Sequence, residues 1–125
     1  MTLNLPLIIS DSGDITVFNS VETAESYFDP YDIHSLTGFD SQGKALVFNT
    51  RKEGRKVLGI YTEVEKVDIS IKGEEIREHD LRKIITEYLS RLQYVNHQRF
   101  LNEHWDQLPL PALIEIVRGI SSQSK

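Results

Sequence analysis

The spacing of apolar residues changes once along this chain, and that change restricts the available folds more than any other feature. Up to Ile71 they recur mostly at every second position, and from Asp80 onward at every third or fourth. The first period belongs to strands, whose side chains alternate across a sheet, and the second to helices with one buried stripe. A chain of 125 residues holds about one such domain. The expectation is therefore a single α+β domain over residues 1–125, mainly strands over 1–72 with a helix near 20–28, and helical over 78–121.

Leu3, Leu5, Leu7 and Ile9 alternate, and Ile15 and Val17 resume the pattern after Asp11-Ser12-Gly13-Asp14. Gly13 supplies the positive φ of a tight turn, so this stretch reads as a β-hairpin. Asn19 or Ser20 can cap a helix over 21–28; with Asn19 as the cap, Glu22 takes the third position of a capping box. Val21, Ala24 and Phe28 share its inner face, and Asp29-Pro30 ends it, because the residue before a proline is pushed out of the helical region. Further strands are expected over 36–40, 44–50, 57–64 and 67–71, with a turn at 40–43. The charged run 51–56, with Gly54 inside it, reads as a hairpin loop. The result is an antiparallel sheet of about five or six strands, one face buried and the other wet.

In the last third, Leu81, Ile84, Ile85, Tyr88, Leu89, Leu92 and Val95 form one long amphipathic stripe, and the acids Glu78 and Asp80 suit its N-terminal dipole. A break is expected near Asn96, then a second helix in which Phe100, Leu101, His104, Trp105 and Leu108 share a side. Pro109 and Pro111 end that helix, and Pro111 opens a last one carrying Leu113, Ile116, Val117 and Ile120.

Composition bears mainly on what the chain does. Fourteen Lys and Arg stand against 19 Asp and Glu, a net charge of -5 that argues against a general nucleic-acid or anionic-membrane binder. There is no Cys, hence no disulfide, thiolate nucleophile or Cys-ligated zinc. The apolar start contains Pro6 and lacks a basic lead and a cleavage site, and no apolar run nears the roughly 20 residues of a membrane span. The expectation is a cytoplasmic protein. The charge is also unevenly spread: the first cation is Lys44, so residues 1–43 carry seven acids and no Lys or Arg, whereas residues 44–125 carry 14 cations and 12 acids. Such asymmetry is a statement about partners rather than fold.

Glu22, Glu25 and Asp29 fall at helical spacing, so one face of the first helix is acidic, with Tyr27, Phe28 and Tyr31 beside it. Aromatic side chains ringed by charge are typical interface anchors. Together with Asp11, Asp14 and Asp32 they make a candidate surface for a basic protein partner: Asp11, Asp14, Glu22, Glu25, Tyr27, Asp29, Tyr31 and Asp32. The alternative is a solvated helix face whose acids favour the dipole, with Phe28 in the core. Arg51, Lys52, Arg55 and Lys56 could hold phosphates, but no aromatic platform adjoins them, and pairing with the acidic segment, within or between chains, accounts for them equally. His34, His79, His97 and His104 form no i, i+4 metal pair. Nucleophile-elbow, phosphate-loop and dinucleotide glycine patterns are missing, so no catalytic residue, metal or cofactor is assigned.

The run Ile8-Ile9-Ser10-Asp11-Ser12-Gly13-Asp14-Ile15-Thr16-Val17-Phe18-Asn19-Ser20-Val21-Glu22-Thr23-Ala24-Glu25-Ser26-Tyr27-Phe28-Asp29-Pro30, followed by Gly38-Phe39-Asp40-Ser41-Gln42-Gly43, resembles small acidic bacterial immunity proteins of polymorphic-toxin and contact-dependent growth inhibition systems. The likeness covers about the first third of the chain and transfers no binding residue. It implies a cytoplasmic, non-catalytic protein that binds and blocks one cognate toxin, often a nuclease with a basic cleft. A generic interaction domain, including a homodimer in which acidic segment meets basic loop, and a small His/carboxylate enzyme remain the alternatives.

Overall fold

The computed structural model describes residues 2–95 and 107–120. Five strands, β1 (Leu7–Asp11), β2 (Asp14–Phe18), β3 (Leu36–Phe39), β4 (Lys44–Val57) and β5 (Ile60–Ile76), form one sheet in the order β2-β1-β3-β4-β5, each neighbouring pair antiparallel. Helix α1 (Val21–Tyr27) and a 3-10 helix (Pro30–Ser35) join β2 to β3, and α2 (Glu78–Val95) and α3 (Leu110–Ile120) follow the sheet. This is the α+β architecture that the change of period predicts.

β1 lies inside the sheet, and Leu7, Ile8 and Ile9 are all buried although they point alternately to opposite faces. Ile8 joins Ile15, Val17 and Phe39 beneath Leu81, Ile85 and Leu89 of α2 and Leu113 and Val117 of α3. On the other face Leu7 and Ile9 join Phe18, Leu36, Leu46, Val67, Ile69 and Ile71 beneath Ala24 and Phe28. The expectation of one wet face is thus corrected for β1: helices cover both sides, so consecutive residues are buried and the alternation is lost there. Each fully buried aliphatic side chain contributes about 1.5–3 kcal/mol, and β1 collects that on both faces. At the root of β4 and β5 the one-sided pattern does hold, with Leu46, Val67, Ile69 and Ile71 buried while Asn49 and Ser70 face solvent.

Ser20, not Asn19, caps α1, its hydroxyl accepting from Thr23 N at 3.1 Å. The capping box proposed for Asn19 and Glu22 is therefore not formed; one residue of shift makes Thr23 the third position. Asp29 starts the 3-10 helix instead, its Oδ1 accepting from Tyr31 N at 2.9 Å. The β3–β4 turn is organised by Asp40, a fully buried carboxylate. One oxygen accepts from Gln42 N and Lys44 N at 2.9 and 3.0 Å, the other from Asn4 N and Asn4 Nδ2 at 3.1 and 3.3 Å. Four donors offset the desolvation that would otherwise expel the charge from the interior.

The largest correction concerns residues 51–56. They are not a loop but the outer part of β4, and the two strands expected over 57–64 and 67–71 are one continuous β5. Pairing runs without interruption from Leu46 opposite Ile71 to Val57 opposite Ile60. The turn is Leu58-Gly59, both with positive φ (54° and 80°), the geometry of the tightest hairpin connection. Gly54 lies beneath the Tyr61 ring, where any Cβ would collide with it. The expected break near Asn96 and the side formed by Phe100, Leu101, His104 and Trp105 lie outside the described residues; Leu108 packs partly buried against the α2–α3 core.

Candidate binding surface

The eight residues singled out by sequence all lie on or beside the connection between β2 and β3, or at the β1–β2 turn. Asp11 and Asp14 are paired in register at that turn. The 3-10 helix reaches them at its end: Ser35 Oγ donates to Asp11 Oδ1 at 2.8 Å and to the Asp32 carbonyl at 2.9 Å. From there the acids continue through Asp32, Tyr31 and Asp29 to Tyr27, Glu25 and Glu22 on α1. They follow the chain as a string rather than a compact patch, and Asp14, at its start, stands near Tyr88 of α2, on the other side of the sheet from α1.

Tertiary contacts divide the string by role. Glu25 Oε2 accepts from Ile69 N at 2.8 Å, which ties α1 to an amide of β5, the outermost strand. Asp29 holds the first turn of the 3-10 helix, and Asp11 ties the end of that helix to the β1–β2 turn. Tyr27 is half-exposed, and its ring stacks edge-on against Phe18 and Phe28 with centroids 5.3 and 5.0 Å away. Phe28 itself is core, as its place on the inner face of the helix predicts. What remains directed outward is Glu22, Asp32 and Asp14, whose carboxylates make no hydrogen bond or ion pair among the described residues, and Tyr31, which is 85% exposed. Asp14 nonetheless acts at a distance: burial first, and the Asp14 charge second, raise the pKa of the Tyr88 hydroxyl on α2, with Arg91 pulling the other way.

Two basic residues, Arg51 and Lys66, stand close to this string without pairing with it. Arg51 and Lys66 share a groove with Glu22 and Glu25, of cavity volume about 510 Å³, between α1 and the root of the β4–β5 ribbon. Both cations are engaged by Glu53, at 3.5 and 3.4 Å. Lys52 and Lys56, farther out on β4, form no ion pair among the described residues. A second hollow, between the β1–β2 turn and α2, is lined by Ser10, Ser12, Thr86, Glu87, Ser90 and Arg91, and the Arg91 guanidinium donates to the Gly13 carbonyl across it.

Among the described residues no three of His, Asp and Glu are grouped to hold a metal ion, and no helix is long and apolar enough to cross a membrane. His34 and His79 are exposed, on the 3-10 helix and at the start of α2; His97 and His104 fall outside the described residues. Sequence reasoning missed a further exposed feature, the end of the ribbon. Leu58, Ile60 and Tyr61 are 96%, 67% and 69% exposed, and Val57 and Val64 are also largely open. The alternation of Leu58, Ile60, Thr62 and Val64 onto one side was visible, but it marks a buried face only where something covers it. No protein-family model, no curated protein and no solved structure matches the chain.

Proposed function

We propose that this protein works by binding rather than by catalysis, as an inhibitor of the immunity type that presents an acidic, aromatic-dotted face to the basic cleft of a toxin domain. The observation that carries the reading is the set of outward carboxylates Glu22, Asp32 and Asp14 together with the exposed Tyr31, in a 43-residue segment without Lys or Arg. These carboxylates are not consumed by the fold, so their field is available to steer a cationic partner, and Tyr31 with the exposed part of Tyr27 supplies apolar anchors. Charge complementarity of this kind raises association rates and sets specificity more than it adds affinity. Asp11, Glu25 and Asp29 contribute charge to the same face while holding it in shape.

Co-purification of the chain with the C-terminal domain of a neighbouring secreted toxin, followed by stopped-flow mixing, tests the reading. Glu22→Lys with Asp32→Lys is expected to slow association about tenfold or more at low salt and to flatten its salt dependence. Unchanged kinetics in this variant would remove the acidic face from the interface.

A further inference from the structure

Beyond the acidic face, β5 ends the sheet, and its outer half carries a free edge of fixed direction. The two-residue turn Leu58-Gly59 makes Val57 and Ile60 its closing pair, the pair that exchanges both backbone hydrogen bonds. Pairing runs on without a bulge, so Ile60, Thr62, Val64, Lys66 and Asp68 bond to β4, and the residues between them turn N–H and C=O away from it. Ile69 fixes that parity independently: its N–H points outward, where Glu25 Oε2 accepts it at 2.8 Å. At Ile69 the edge is thus closed by α1. Toward the tip, the outward backbone groups of Tyr61, Glu63 and Glu65 meet no strand among the described residues.

We propose that this edge, Tyr61 to Glu65, takes an extended segment of another protein as an added antiparallel strand, with Lys or Arg beside Glu63 and Glu65 and an apolar residue beside Val64. Distance selects the basic residues. Glu63 and Glu65 are exposed and form no ion pair among the described residues, and they share a ribbon face with Lys52 and Lys56 of β4. An added strand lies one strand spacing, about 4.8 Å, from β5 and two, about 10 Å, from β4, so it meets the acids before the lysines. Gly54, opposite Glu63, leaves that carboxylate without a cross-strand side chain. Glu22 and Glu25 border the groove that reaches Glu65, whereas its cations, Arg51 and Lys66, are engaged by Glu53. On the opposite face Val64, 41% exposed, neighbours the residue in between, so the incoming strand reads basic, apolar, basic.

An open edge pairs with its own kind unless something prevents it. Two β5 edges, antiparallel and centred on Val64, set Glu63 opposite Glu65, and like charges directly opposite across strands are destabilising. The acids that turn away a second β5 edge therefore attract a basic strand, so one pair of side chains excludes the wrong occupant and selects the right one. The inference goes beyond the inhibitor reading and does not rest on it, because the contacts are made by the strip from Tyr61 to Glu65 and not by Glu22, Asp32, Asp14 or Tyr31.

The probe is an eight-residue peptide of alternating Lys and Val, titrated into the full chain at low salt. Binding is expected to slow amide hydrogen exchange at Glu63 and Glu65 about tenfold or more, and to leave Val64, whose amide already lies in the ladder, unchanged. In an antiparallel pair the Lys amides of the peptide face β5 and the Val amides face away, so N-methylation of the Lys amides abolishes binding and N-methylation of the Val amides does not. Glu65→Gln removes only a charge and is expected to weaken the peptide about threefold, whereas Glu65→Pro also removes an outward N–H and weakens it about tenfold or more. Proline at an outward position takes no bond from the β4–β5 ladder, and an unchanged circular dichroism spectrum checks that. A peptide that tolerates methylated Lys amides, exchange protection confined to α1 and the 3-10 helix, or equal effects of Glu65→Gln and Glu65→Pro would overturn the inference. So would sedimentation velocity showing that the chain alone polymerises with rising concentration, since the β4 edge of a second copy would then hold the β5 edge. Glu22→Lys with Asp32→Lys, which tests the inhibitor reading, is expected to change peptide affinity less than Glu65→Pro does, so the two readings fail separately.

Discussion

β1 and the outer ribbon are both antiparallel strand, yet they are held by opposite means. In β1 three consecutive aliphatic residues are buried because α2 and α3 cover one face and α1 with the 3-10 helix the other. In the ribbon every described residue from Lys56 to Lys66 is exposed, and order comes from the unbroken ladder, the Leu58-Gly59 turn and local ion pairs such as Lys66–Glu53. Isolated two-stranded ribbons are marginal in water. The difference shows that strand geometry in this protein does not require a core, but that stability does, and that apolar residues without a core are available for a partner.

The sharpest way to break that comparison is to truncate equivalent apolar residues in the two regions. Ile8→Ala opens a cavity beneath α2 and α3 and is expected to cost about 2–5 kcal/mol in urea denaturation, whereas Leu58→Ala stays within about 0.5 kcal/mol. Comparable losses at both sites would mean that the ribbon tip is packed in solution. Asp40→Ala comes next, at about 3 kcal/mol, because it strands four donors around a buried turn; Asn4→Ala, which removes one side-chain donor, is expected to cost about 1 kcal/mol.

A smaller effect separates two acids one turn apart on α1. Glu25→Ala loses the charge-assisted bond to Ile69 N and is expected to cost about 1.5–2 kcal/mol, while Glu22→Ala changes stability by less than about 0.5 kcal/mol and shows its effect only in association. Equal stability losses would sink the division between acids that build the face and acids that use it. The smallest expected effect concerns pH. Tyr88 ionises at higher pH in the folded chain than in the unfolded one. Above the ordinary tyrosine value of about 10 the unfolded chain loses its proton first, so stability conferred by the neutral hydroxyl, complete below that pH, falls as pH rises toward the folded value. Tyr88→Phe is expected to flatten the thermal-melting decline in that range, with no counterpart for Ile8→Val in the same core.

Much of the fold was legible in sequence wherever burial writes the pattern. The stripe Leu81, Ile85 and Leu89 identified α2, Leu113 and Val117 identified α3, and Asp29-Pro30 marked the end of α1 to within a residue. Residues 51–56 read as a loop in sequence because no helix among the described residues buries them: a strand without a buried face carries no alternation of apolar and polar residues, and Gly54 adds a turn signal where the true reason is the Tyr61 ring above it. The turn itself went unseen because Leu58-Gly59 lacks the Asn-Gly or Asp-Gly signature. The acidic string was legible for a local reason, since Glu22 and Glu25 lie about one turn apart on α1 and Asp29 caps the 3-10 helix that follows directly.

The sequence by itself thus determined the class of fold, the helical faces and the sign of the charge on the segment 1–43, all properties of neighbouring residues. Only the tertiary structure decided which acids serve the fold and which face outward, because Glu25 meets an amide 44 residues away and Asp40 a segment 36 residues before it. It also decided that Lys52 and Lys56 stand exposed on the outer β4–β5 ribbon. Contacts between distant segments depend on strand order and register, and those are set by the packing of the whole sheet between its helices.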